Sequence, residues 1–293
     1  MSTEGQAGRS AGRSPIADAI PPDGAGRGRH APGAVVEPSR LSIYLLDVDD
    51  DLASELDVRM RLAARQSATA RVLEANAGEC RLEPWFEAAG KGPGLLVLDG
   101  VLAAETRIAD RTATELLGAG DLIQPAFRRP DEMLEQSTVF RALVGLRLAL
   151  LDGEFIERMR AWPQITRAIA RRAERRTAEE AMLRTISCQP RLEVRLVLLL
   201  WHLGARWGRV EPSGLRLSLP LTHRLLGQLV AAERPSISHA LGRLVRAGLL
   251  SGEASDMHLH GSLDDHLHAL DEGAARLHAH RQPRRVTARQ RLA

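Results

Sequence analysis

The stretch that decides the fold runs from Leu221 to Leu250 and reads LTHRLLGQLVAAERPSISHALGRLVRAGLL. Thr222 suits a helix N-cap, and Leu226, Leu229 and Val230 then fall on one helix face. A break follows at Ala232-Glu233-Arg234. Pro235 sits in the first turn of a second helix, where its missing N–H costs nothing. The apolar face of that helix is Ile237, Ala240, Leu241 and Leu244, and Gly248 ends it. Two short helices joined by a three- or four-residue turn predict a helix-turn-helix. At about 100° per residue, the opposite face carries Pro235, His239, Gly242, Arg243 and Arg246. Arg234, Ser236 and Ser238 lie at the N-terminal end. A recognition helix presents such residues to a major groove. A plain helical hairpin with a solvated basic face is the bland alternative, and the flanking strand-like segments and local charge weigh against it.

Outward from this core, Arg191–Arg206 reads as a helix and Trp207–Val210 with Leu215–Leu219 as a β-hairpin. Residues 256–260 read as a wing strand. Upstream, Asp152 can cap a short helix, and Trp162-Pro163 starts a long one with an apolar stripe at Ile165, Ile169, Ala173, Leu183 and Ile186. A narrow stripe on a charged helix suits a two-helix interface, and it equally suits an ordinary amphipathic helix packed on its own domain, which the stripe alone does not decide; Ile165, Ile169 and Ala173 are the expected dimer contacts. Residues 41–150 read as short strands: Leu95–Asp99, Val101–Glu105 joined to it by a hairpin turn at Asp99-Gly100, Thr112–Leu117, Phe140–Val144 and Leu146–Leu151. Asp49-Asp50-Asp51 precedes a helical stretch, Leu52–Ala64, and N-capping accounts for the triplet more simply than a metal does. Residues 1–40 have the composition of a disordered arm, and residues 281–293 that of a loose basic tail.

Composition narrows the function. The chain has 293 residues, 44% of them hydrophobic, enough for more than one core. Its two cysteines, Cys80 and Cys188, cannot form a disulfide framework, a four-thiolate zinc site or a four-cysteine iron–sulfur cluster. No apolar run reaches membrane-spanning length and no hydrophobic signal segment opens the chain, so the expected setting is the cytoplasm, without a membrane partner. Residues 41–150 carry a net charge of −6 and residues 190–293 of +6. An acidic first part joined to a basic second part points to a polyanion as partner of the second. Three His-x-His pairs, at 258/260, 266/268 and 278/280, are weighed as metal ligands, but only a strand puts i and i+2 on one face. No metal or cofactor is expected.

Residues 190–261 resemble the winged helix-turn-helix of the Crp/Fnr transcription regulators, in particular an actinobacterial-type branch. The carrying motifs are Arg195-Leu-Val-Leu-Leu-Leu-Trp-His202, Trp207-Gly-Arg-Val210, Leu219-Pro-Leu-Thr-His223 and Arg234-Pro-Ser-Ile-Ser-His-Ala-Leu-Gly-Arg-Leu244. Leu95–Val101 and Leu116–Ile123 resemble the best-marked stretches of the family's cyclic-nucleotide-binding-type β-roll, and Trp162–Ile165 the start of its dimerisation helix. The resemblance implies base contacts at Arg234, Pro235 and His239, to which Ser238 is added. Thr222, His223, Ser236, Arg243 and Arg246 are the expected phosphate contacts. The family's phosphate-cradling Gly-Glu and Arg-Ser or Arg-Thr pairs are missing after Asp121, where the chain reads LIQPAFRRPDEML. Cyclic AMP binding is therefore not expected, and Arg128 and Arg129 are the nearest candidates for an effector pocket.

The expected fold is α+β: a jelly-roll-like β-roll over 41–151, a short helix and a dimerisation helix over 152–188, a winged helix-turn-helix over 189–265 and a basic tail over 266–293. The expected molecule is no enzyme. It is a homodimeric regulator on double-stranded DNA with an inverted-repeat operator, with RNA polymerase and a small effector as further partners. The alternative is a ligand sensor or protein-interaction module whose DNA binding is weak or lost.

Overall fold

The computed structural model describes residues 36–125 and 133–281. Two antiparallel sheets build the first half. One has the order β1 (Glu37–Tyr44), β2 (Thr69–Ala75), β9 (Leu146–Leu151), β4 (Gly94–Asp99) and β7 (Leu122–Ile123). The other has the order β3 (Gly78–Cys80), β8 (Gln136–Ala142), β5 (Val101–Ile108) and β6 (Arg111–Gly118). Between them lies a core that includes Leu73, Leu95, Val97, Leu102, Leu117 and Leu148.

The apolar runs in these strands do not alternate with polar residues, and the packing explains why. In β4, Leu95 and Val97 enter the core between the sheets while Leu96 enters a second core on the opposite face. That second core joins α1 (Leu45–Val48), α4 (Gly153–Met159) and the first half of α5 (Pro163–Ser187). In β5 and β6, Leu102 and Leu117 face inward, whereas Val101, Ala103 and Leu116 belong to the core of the C-terminal helices. A strand covered on both faces reads as a continuous apolar run.

Asp99-Gly100 is a corner, not a hairpin turn. β4 pairs with β7 and β9, and β5 with β6 and β8, so the chain changes sheets there. Gly100 has φ +92°, and a Cβ on it would lie 2.2 Å from the Gly145 carbonyl oxygen. That tight crossing, more than turn chemistry, explains the glycine.

The acidic triplet does not cap a long helix. Asp50–Ala53 is a single 3-10 turn, and α2 (Val58–Arg65) starts later, capped by Asp57, which accepts from the Met60 amide at 2.7 Å. Asp50 pairs with Arg61, and Asp51 lies near Arg172 and Arg175. Asp49 accepts from the buried Arg172 of α5 on both carboxylate oxygens, and Arg172 also donates to the Gly120 carbonyl at 2.6 Å.

α5 corrects two of the three expected dimer contacts, Ile165 and Ile169. Ile165 is wholly buried and Ile169 is 5% exposed, both in the chain's own core beside Phe155 and Met159, and Ala173 is half-buried. The exposed face runs through Thr166, Ala170, Thr177, Ala181 and Thr185.

The second half packs α6 (Leu192–Trp207), α7 (His223–Val230) and α8 (Arg234–Arg246) around a third core. A small sheet of order β10 (Arg209–Glu211), β11 (Gly214–Leu217), β13 (Asp256–His260) and β12 (Leu250–Glu253) completes it. Both ends of the described region depart from expectation. β1 begins at Glu37, inside the stretch read as an arm, and Leu263–Arg281 is a helix, α9, where a basic tail was expected from residue 266. Ser262 and Asp265 start α9 with a reciprocal cap: the Ser262 amide donates to Asp265 at 2.9 Å and the Asp265 amide to the Ser262 hydroxyl at 3.2 Å. His266 and Leu270 bury α9 against α6, and the Arg191 guanidinium donates to the Leu270 carbonyl at 2.9 Å.

Removing Arg172 strands a poorly exposed carboxylate. Arg172→Ala should lower the unfolding free energy by about 3 kcal/mol in urea titration, the scale for breaking one partner of a buried pair. A loss below about 0.5 kcal/mol, the level of a surface pair, would contradict this reading of the Asp49–Arg172 bond.

His266 gives a pH dependence. Its Nε2 lies 2.7 Å from the His260 carbonyl and must donate, while its buried Nδ1 has no partner among the described residues. Burial holds its pKa below the ordinary value, so protonation is easier in the unfolded chain. Stability from this group is full above about pH 6.5 and falls as pH drops through that value. Hydrogen exchange of α9 amides, corrected for intrinsic rates, should show less protection near pH 5.5 than near pH 7.5, and His266→Leu should remove the difference. Equal protection at both pH values in the native chain would contradict it.

Candidate nucleic-acid interface

Local sequence fixes the two helices of the motif. Thr222 caps α7, its hydroxyl accepting from the Leu225 amide at 3.2 Å. α7 ends at Ala231, which adopts left-handed backbone at φ +53°, and the Ala232 amide returns to the Gly227 carbonyl at 2.9 Å. A Cβ on Gly227 would lie 2.5 Å from the Ala232 carbonyl oxygen, so the tight turn requires glycine there. Pro235 occupies the first turn of α8, and no side chain caps that helix.

The expected burial pattern of α8 is the one found. Ile237, Ala240, Leu241 and Leu244 are buried, while Arg234, Pro235, Ser236, Ser238, His239, Arg243 and Arg246 are exposed. A Cβ on Gly242 would meet nothing within 4 Å, so the backbone is open to close approach there. Some exposed groups are already engaged. His223 Nδ1 is 2.8 Å from the Ser238 hydroxyl, which also lies 3.2 Å from the Arg234 carbonyl and ties α7 to α8. Arg243 pairs with Glu193 of α6, and Arg246 donates to the Gly242 carbonyl at 3.1 Å. Arg224, exposed on α7 next to His223, is a cation on this side that the sequence reading passed over.

The wing is held by charge. Arg216 of β11 donates to both Asp256 oxygens at 2.9 and 2.6 Å, and Ser218 adds a bond at 2.8 Å. Arg216 holds the Asp256 carboxyl below its usual range. His258 and His260 do share a strand face, with ring centroids 4.4 Å apart, but each turns to a different neighbour. His258 Nε2 lies 3.6 Å from Glu211, and His260 Nε2 lies 2.8 Å from the Ser251 hydroxyl. His266 is buried while His268 faces Glu272 in solvent, as the helical offset requires. Among the described residues, no group of three side chains is arranged to hold a metal.

The β-roll meets this unit directly. Asp121 accepts from the Gly118 amide at 2.8 Å and from Arg206 of α6, and Arg206 also holds Glu179 of α5 at 3.1 Å. Trp207 seats on Gly118, where a Cβ would lie 2.7 Å from the indole nitrogen. Arg111, beside the β5–β6 turn, pairs with Glu233, the residue before α8. Arg128 and Arg129 lie outside the described residues. A cavity of about 970 Å³ opens between the β-roll, α5 and α7. Arg176 crosses its wall and donates to both oxygens of Glu115, at 3.1 and 2.8 Å. Burial pushes the Glu115 carboxyl up, and Arg176 opposes that.

Residues 194–260 match the family model of the Crp-like helix-turn-helix domain. No curated protein matches the chain in sequence. Among solved structures, it is similar to the c-di-GMP-responsive global regulator CLP of Xanthomonas campestris, with TM-score 0.50 and 17% identity over 68% of this chain and 98% of that one. A CooA variant from Carboxydothermus hydrogenoformans aligns with TM-score 0.47 and 16% identity, over 59% of this chain and 77% of that one. A CRP-family transcriptional regulator from Thermus thermophilus aligns with TM-score 0.43 and 19% identity, over 60% of this chain and 87% of that one. The chain has the fold of the Crp/Fnr-type transcription regulators, and its residues 194–260 are a Crp-like helix-turn-helix domain.

Proposed function

We propose that the chain is a homodimeric transcription regulator that binds an inverted-repeat DNA operator through α8. The observation that carries this reading is the division of α8: its aliphatic face is buried in its own core and its other face offers Arg234, Pro235 and His239 to solvent. Arg234 suits the O6 and N7 acceptors of guanine, and Ser238 lies one turn further on. Thr222, His223, Ser236, Arg243 and Arg246 serve the phosphates, aided by the uncapped N-terminus of α8. The role is non-catalytic and cytoplasmic, and RNA polymerase and a small effector are its further partners.

The dimer uses the solvent face of α5. Thr166, Ala170, Ala173 and Thr177 recur at spacings of four, three and four, the spacing of a two-helix seam. Thr177 and Thr185 turn their hydroxyls to the carbonyls of Ala173 and Ala181, at 3.2 and 2.9 Å, which leaves small, weakly polar surface for close helix approach.

Arg234→Ala should cost about 1–3 kcal/mol at one base pair and relax preference there, read by binding to a panel of operator variants. Arg246→Ala should weaken operator and random DNA alike and flatten the salt slope by about one ion. Unchanged base preference in the Arg234 variant would remove α8 as the reading helix.

Ala170→Glu combined with Thr177→Glu should give a folded monomer in sedimentation equilibrium, with much weaker operator binding. A dimer that survives both substitutions would move the interface away from α5.

A further inference from the structure

We infer that Arg111 of the β-roll completes the DNA surface: it neutralises Glu233 at the head of α8 and keeps Arg234 free for a base. This rests on the reading of α8 as the helix that reads DNA, and it adds a positioning residue from outside the Crp-like domain.

The sequence places one acid where a polyanion would be read. Leu221–Leu250 holds four arginines, Arg224, Arg234, Arg243 and Arg246, and Glu233 is its single acidic residue. Glu233 is exposed and directly precedes Arg234, the residue suited to guanine. It stands at the N-cap of α8, yet its side chain accepts nothing from the first turn. A lone carboxylate there would act in two ways. It would repel a phosphate approaching the first-turn amides, and it would draw the Arg234 guanidinium away from the bases.

Arg111 removes both effects, because its guanidinium pairs with the Glu233 carboxylate from 122 residues away in the chain. Asp110, the other acid beside Arg111, lies 4.0 Å from it. Both members of the Arg111–Glu233 pair are mostly exposed, so the pair adds little to stability and acts chiefly through its charge.

The position of Arg111 does not depend on that pair. β5 and β6 stay paired as far as Ile108 and Arg111, so Ala109 and Asp110 alone form the turn, with Ala109 at φ +51°. β5 is paired with β8 on its other side, and Leu116 of β6 is buried in one core with Leu226 of α7. The arginines further along α8 do not take the place of Arg111. Arg243 is paired with Glu193. Arg246 lies about 18 Å along the helix from Arg234, beyond the screening length of about 10 Å at 0.1 M salt.

The test compares the native chain with Arg111→Ala, Glu233→Gln and the double variant, with melting temperatures confirming that each is folded. The probes are a duplex enriched by the native chain from a random pool, its single-base variants and a random duplex, all at about 0.1 M salt. Arg111→Ala should weaken binding to the enriched duplex about three- to tenfold, the scale of one exposed charge pair in each of two protomers, and relax its guanine preference. Glu233→Gln alone should not weaken binding. The double variant should return affinity and preference to within about twofold of native. Arg111→Lys should keep native affinity, since an ammonium also neutralises the carboxylate. Native or tighter binding by Arg111→Ala, weaker binding by Glu233→Gln, or a loss that persists in the double variant would overturn the assignment and leave α8 as the reading helix. A native chain that binds no duplex would overturn the regulator reading, and this assignment with it.

Discussion

The inner ends of β5 and β6 have no solvent face, and the rest of the molecule is arranged around that fact. Leu102 and Leu117 fill the β-roll, while Val101, Ala103 and Leu116 on the opposite face share a core with Leu196, Leu200 and Leu226. That apolar surface of the β-roll is what docks the Crp-like domain on it. Strand and helix-turn-helix therefore move as packed neighbours, and a shift in one is felt as a packing change in the other.

Three arginines fasten the turn that leads out of β6. Arg172 holds the Gly120 carbonyl and Asp49, Arg176 holds Glu115 of β6 and the Leu122 carbonyl beyond the turn, and Arg206 reaches Asp121 and Glu179. Two come from α5 and one from α6, so the long helix and the first helix of the C-terminal unit grip the same short segment. Guanidinium suits this work, because its planar fork satisfies a carboxylate and a carbonyl at once. The cavity beside Glu115 lies next to that grip.

The helix-turn-helix was legible because its signals are local. Thr222 as cap, Pro235 in the first turn and the Ile237, Ala240, Leu241, Leu244 spacing each follow from one helix's geometry, and each is found. The strands were legible as apolar runs, but not which sheet each joins, since that depends on partners remote in sequence. So Asp99-Gly100 read as a hairpin when it is a corner. The stripe on α5 is apolar as its spacing says, and at Ile165 and Ile169 the chain's own core buries it: periodicity shows that a face is buried, not whether a partner or the same chain buries it. The Ser262–Asp265 capping pair was present in the sequence and went unread, which is why α9 was expected to be a tail. Asp49 looked like a cap because its true partner, Arg172, is 123 residues away.

The central claim is that α8 reads DNA as one of a symmetric pair. Selection of bound duplexes from a random pool, using the full chain at physiological salt, tests it most directly. The account predicts enrichment of an inverted repeat whose half-site centres are about one helical turn apart, roughly 34 Å, with guanine prominent in each half. A pool that shows no enrichment over random sequence, or a single half-site without a symmetric mate, would contradict it.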